Sequence, residues 1–254
     1  MGGDMSIKAD NQKLYQSIIV ALQADIAAGR FREGDRLPPE RLLVDRFQVS
    51  RLTIREAMIG MEILGLVEAR RGSGVYVTAA PVGGIGAGEL DIGAFELTAA
   101  RRLVEGETAA LAATTASAED IEELEQVLTR MIADNVGETV HDEGADRDFH
   151  LGIARATQND ALVLVVQTLW DVRERSPLSM EILRRSRSAG VKPLIDDHRA
   201  ILNAIAAHDP DAARQAMRDH LGRVIENLLT VTELDAINRV RNETARLRGR
   251  AGLR

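Results

Sequence analysis

At 254 residues the chain exceeds one typical domain and falls short of three, so two domains are expected. Its composition, 45% hydrophobic but only 3% aromatic, favours packed helices over a β-sandwich or barrel, and the lack of cysteine excludes disulfides and thiolate metal sites. The formal charge of −7 excludes a uniformly basic nucleic-acid binder, although residues 1–80 carry 11 basic and 10 acidic side chains against 21 and 29 in residues 81–254.

In chain order, "LYQSIIVALQADIAAG" sets Leu14, Ile18, Leu22 and Ile26 at helical spacing and stops at Gly29. A second helix starts in "DRLPPERLLVDRF", with proline near its first turn and Leu42, Leu43 and Phe47 as its apolar face. A third is "SRLTIREAMIGMEILG": Ser50 is a natural N-cap, Ile54, Ala57, Met58 and Met61 form the buried stripe, and Gly65 ends it. Only "QV" separates these two helices, the tight connection of a helix-turn-helix. Such a third helix offers its first residues to base edges in the major groove, here Arg51, Leu52, Thr53 and Arg55 at its exposed start. An arginine fork can reach O6 and N7 of guanine together. "LVEARRGSGVYV" then alternates and turns at Gly72-Ser73-Gly74, which predicts a β-hairpin wing with Arg70 and Arg71 at its tip.

The stretch "GDRLPPERLLVDRFQVSRLTIREAMIGMEILGLVEARRGSGVYV" resembles the DNA-binding module of the GntR regulators throughout its length. The resemblance implies that Arg41, Arg51 and Arg55 approach double-stranded operator DNA, with Ser50 and Thr53 beside them. It also implies that Arg71 and Gly72 carry the wing into the minor groove. Leu52 departs from the small polar residue usual at its position.

Residues 78–93, "TAAPVGGIGAGELDIG", lose periodicity and read as a linker, since neither a dinucleotide fingerprint nor a P-loop lysine is present. The expected division is a winged helix at 11–78, a linker at 79–93, an all-helical domain at 94–230 and a helical or basic tail at 231–254. No secretory h-region or run of 18 apolar residues occurs, so the expectation is a cytoplasmic protein that does not enter a membrane.

Within the second domain, "GADRDFHLGIARATQND" places Asp146 and His150 four apart, on the same helix side as Phe149 and Ile153. His198 falls among Leu194, Ile201, Leu202 and Ile205, and His220 among Met217, Leu221, Val224 and Leu228, whereas His141 and His208 lie in loop-like surroundings. A buried carboxylate and three buried imidazoles all need partners, which either a polar core network or one divalent cation supplies. One Asp oxygen and three His nitrogens suit Zn, with Ni, Mn or Fe(II) as alternatives, better than Mg or Ca.

Residues from about Phe95 to Leu229 resemble the FCD effector domain of the FadR-type branch of the same regulators, and the Asp-x3-His, His, His pattern of that domain falls on Asp146, His150, His198 and His220. The resemblance implies a metal that holds a small carboxylate effector. In "FELTAARRLVEGETAALAA", Arg101 precedes Glu105 by four residues. It is read either as an anion clamp or as half of an intrahelical salt bridge. Asn159 and Arg173 are further effector candidates. "RRGSGVYV", "ATQN" and "DDHRAIL" are similar to the hexuronate-utilisation repressors, which implies a sugar acid. The expected protein is a ligand-responsive repressor of a carbon-catabolism operon, a homodimer and not an enzyme. The alternatives are a metal-dependent enzyme or an architectural DNA-binding protein with a structural metal.

Overall fold

The computed structural model describes residues 13–70, 73–78, 92–134, 144–191 and 193–232, together with the helical backbone of 233–250. The chain divides into two compact units, residues 1–69 with 73–90, and residues 70–72 with 91–254. Most of the expected linker 79–93 lies outside the described residues.

The first unit contains α1 (Leu14–Ala27), α2 (Glu40–Phe47), α3 (Arg51–Ile63), β1 (Val67–Arg70) and β2 (Gly74–Val77). Its core draws Tyr15, Ile18, Ile19 and Leu22 from α1, Leu43 from α2 and Ile54, Ala57, Met58 and Met61 from α3. The phase of α1 differs from expectation: Leu14 is 64% exposed, and Tyr15 and Ile19 take the inner positions. On α2 likewise Leu42 is exposed and Leu43 buried. Both helices are apolar on more than one side, so the partner helices decide which stripe turns inward.

Helix α2 is closed by Gln48 in the left-handed conformation, and the N-cap of α3 follows two residues later at Ser50, whose side chain accepts from Thr53 N at 3.1 Å. Gly65, at φ 67, turns the chain out of α3. Strands β1 and β2 pair, and β2 also pairs on its other side with the segment before α2, where Leu37 N donates to Val75 O at 2.8 Å. That outer pairing includes an antiparallel bridge between Arg36 and Tyr76.

The second unit is all-helical among its described residues: α4 (Ala94–Thr115), α5 (Ala118–Asp134), α6 (Gly144–Ala156), α7 (Asp160–Arg175), α8 (Pro177–Ser188), α9 (Ile195–Ala206) and α10 (Pro210–Arg250). Helices α4 and α10 pack against each other, with Ala109, Ala112 and Ala113 in the seam and Met217 and Leu221 in the same cluster. Phe149, Ile153, Ile201 and Ile205 join that cluster, while Ala154, Val166 and Trp170 form a smaller one. Ser176 caps α8 and Pro177 occupies its first turn, where a missing N–H costs nothing. The expected tail from 231 is helical as far as Arg250, as part of α10. No described helix is long and apolar enough to cross a membrane.

Candidate functional site

In the helix-turn-helix, Arg41 of α2, Ser50 and Arg51 are exposed and Thr53 of α3 is half-buried, its hydroxyl 2.8 Å from Ser50 Oγ. Arg55 is not exposed as expected: it is 8% accessible, with Nε 2.8 Å and Nη2 2.9 Å from the two carboxylate oxygens of Glu40 at the start of α2. Arg51 reaches the same carboxylate more loosely, Nε to Oε2 at 3.5 Å. Glu40 is a residue that sequence reasoning passed over, because pairing across the turn between α2 and α3 leaves no periodic signal. Arg71, Gly72 and His141 lie outside the described residues.

In the second unit, α6, α9 and α10 bring Asp146, His150, His198 and His220 together, each offering one ligand atom within 4.8 Å of the others. Asp146 Oδ1 stands 2.9 Å from His198 Nε2 and 3.7 Å from His150 Nε2. The opposite ring nitrogens face other partners. Nδ1 of His150 is held by Glu105, Nδ1 of His198 donates to Leu194 O at 2.8 Å, and Nδ1 of His220 lies 3.5 Å from Asp197. Metal-binding imidazoles characteristically have the second nitrogen held by a hydrogen bond, as those of His150 and His198 are, whereas Nδ1 of His220 has none. Nε2 of His150 is buried with no hydrogen-bond partner, as a nitrogen that serves a cation would be. Tetrahedral donors about 2 Å from one ion lie roughly 3.3 Å apart, so the cluster would close by up to about 1.5 Å around Zn. His208 bonds Ala113 O and stands apart from the cluster.

The electrostatics follow from this packing. Burial works to raise the Asp146 carboxyl, but the His198 hydrogen bond and the nearby His150, His198 and Arg173 charges hold it far below its usual range. His198 is raised despite its burial, through its bond to Asp146. Burial, joined by the repulsion of His198 and His150, pushes His220 down to about 4 even though Asp197 opposes the shift. Glu105 falls to about 2, because the Arg101 and His150 charges outweigh its burial.

Of the three effector candidates, Arg173 lines a cavity that opens to solvent and is also bordered by Asp146, His220, Ser186, Arg187 and Asn227. Arg101 is outside that lining and 3% accessible. Its Nε donates to Glu105 Oε1 at 2.6 Å, its Cζ lies 4.1 Å from the Trp170 ring centroid, and its Nη2 is buried without a partner. The salt bridge expected as one reading of Arg101 is thus formed. The carboxamide oxygen of Asn159 accepts from Ala161 N and Leu162 N as the N-cap of α7, and Asn159 is not among the residues that line this cavity. The strong capping preference of asparagine accounts for that placement. Glu105 and Asp197, which orient the histidines, were not singled out as site residues, since their partners are far away in the chain.

A helix-turn-helix with a wing, followed in the chain by an all-helical unit, is the build of a DNA-binding transcription regulator. Residues 14–77 match the family described as bacterial regulatory proteins, gntR family, and residues 96–223 match the FCD domain. The chain belongs to the GntR family, in its FadR-type branch with an FCD domain, and is a DNA-binding transcription regulator rather than an enzyme. It is 38% identical to the Uxu operon regulator of Haemophilus influenzae over 88% of this chain and 85% of that one. It is 36% identical to the Uxu operon transcriptional regulator of Escherichia coli K12 over 89% and 91%, and 35% identical to the Exu regulon transcriptional regulator of the same strain over 83% and 82%.

Proposed function

We propose that this regulator represses an operon for sugar-acid catabolism, and that a hexuronate-type carboxylate, bound beside a divalent metal on Asp146, His150, His198 and His220, releases it from its operator. The observation that carries the reading is the orientation of the three imidazoles. Each has Nδ1 set toward an acceptor, Nε2 of His150 and of His198 face Asp146 Oδ1, and the four residues offer ligand atoms within 4.8 Å of one another. Zn is the first choice of ion, with Ni, Mn or Fe(II) able to take the same donors. Arg173 on the cavity wall supplies a cation for a carboxylate, with the orphaned Nη2 of Arg101, outside that lining, as a further donor, while Ser186 and Asn227 suit sugar hydroxyls. The names of the Uxu and Exu relatives support the same effector class.

Release would follow from a changed separation of two winged helices in a homodimer, which alters their fit to paired half-sites. Leu103 on α4 and Leu164 on α7, 67% and 65% exposed, are apolar surface that a second copy would cover. A dimer mass in sedimentation at micromolar concentration is expected, and a monomer with and without operator contradicts this arrangement.

The direct contact of His198 Nε2 with Asp146 Oδ1 favours a second reading, a metal-free polar core. Metal analysis of the purified protein, combined with a thermal-shift screen of sugar acids on metal-loaded and chelated samples, separates the two. About one ion per chain and a sugar-acid shift that chelation removes are the expected results. A protein that binds no added Zn, Ni, Mn or Fe(II) has a polar core instead.

A further inference from the structure

Glu105 of α4 is 2% exposed, and both its oxygens are engaged: Oε1 accepts from Arg101 Nε at 2.6 Å, and Oε2 faces Nδ1 of His150 on α6. On the far side of each partner lies a buried polar atom without a hydrogen bond, Nη2 of Arg101 and Nε2 of His150. An arginine and a glutamate one turn apart on a single helix could satisfy each other alone. Here a third group from another helix shares the carboxylate. Trp170 of α7, its ring 4.1 Å from Arg101 Cζ and 5.3 Å from the His150 ring, packs against both.

We propose that Glu105 is a positioning residue that couples the two vacant donors, so that a metal ion on His150 and an anion on Arg101 strengthen each other's binding. The inference rests on the metal and effector reading above and adds a regulatory link to it. A cation on Nε2 draws electron density from the imidazole, and Nδ1–H becomes a stronger donor to Glu105. The carboxylate is then drawn toward His150, and the guanidinium is left with more of its charge for an incoming carboxylate. In a dry, low-dielectric setting such polarisation is transmitted strongly along the chain of bonds. The reverse follows because coupling between two binding equilibria is reciprocal: an anion on Arg101 leaves Glu105 more fully to His150, and the metal binds tighter.

Zinc affinity of the full chain, measured by competition with a chelator, tests the link without any knowledge of the effector. Glu105→Gln removes the charge that polarises His150, and zinc binding is expected to weaken by about 10–100-fold. Arg101→Met leaves the carboxylate to His150 alone, and zinc binding is expected to tighten by at least about fivefold. Opposite signs are the signature, since simple damage to the packing would weaken both variants. If Arg101→Met fails to fold, Arg101→Gln, neutral but still able to donate, serves for the same measurement. Unchanged affinity in Glu105→Gln, or weaker binding in both variants, overturns the coupling while leaving the metal reading intact. No zinc binding by the wild type removes the metal reading and the coupling together.

Discussion

His198→Ala or His220→Ala is expected to abolish stoichiometric metal binding and the sugar-acid thermal shift while leaving operator affinity nearly unchanged. His198 is fully buried against Asp146 and His220 is 4% exposed, so no surface residue can take over as a ligand. A ligand at about 100 times its Kd stabilises the native state by about 2.7 kcal/mol. At about 2–4 °C per kcal/mol for a chain of this size, chelation of the wild type should lower Tm by roughly 5–10 °C. The same chelator should move neither variant. The DNA-reading unit has its own core of Tyr15, Ile18, Ile54 and Met61, which explains why its function survives. Full metal content with a normal sugar-acid response in either variant would refute the four-ligand site.

The second large effect separates two arginines that look equivalent in the sequence. Arg51, with a side chain 61% exposed and 3.5 Å from Glu40, is the expected base reader of the pair. Arg51→Ala should weaken operator binding by about 1–3 kcal/mol in gel-shift titration and leave the melting curve unchanged. Arg55→Ala should instead lower stability as well as affinity. It removes a charge-assisted hydrogen bond and a close ion-pair contact to Glu40 from a largely buried position, a loss of about 1.5–3 kcal/mol. Equal melting behaviour of the two variants would show that the Arg55–Glu40 pair does not hold α2 against α3.

Local signals in the sequence carried most of this architecture. The cap at Ser50, the two-residue turn before it and Gly65 after α3 depend on neighbours within a few positions, and so does the one-turn spacing of Asp146 and His150. What escaped was settled by partners distant in the chain. The inward phase of α1 depends on α3, the burial of Arg55 on Glu40 fifteen positions earlier, and the engagement of Glu105 on His150 forty-five positions later. Asn159 could have been read as a cap from "ATQND" alone, and its structure follows that local rule. Arg101 shows the limit most clearly: its bridge to Glu105 is local, but the unpartnered Nη2 arises from the packing of α4 against α7.

The spread of the ligand set along the chain also matters for the molecule as a polymer. Positions 146, 150, 198 and 220 belong to three helices, and the chain has no cysteine with which to tie them covalently. A cation seated there would act as a removable crosslink. Because the unfolded chain has no assembled site to keep the ion, the free energy of metal binding would be added to the folding free energy of the helical unit. Metal supply would then govern how long the helical unit withstands proteases, independently of any gene it controls.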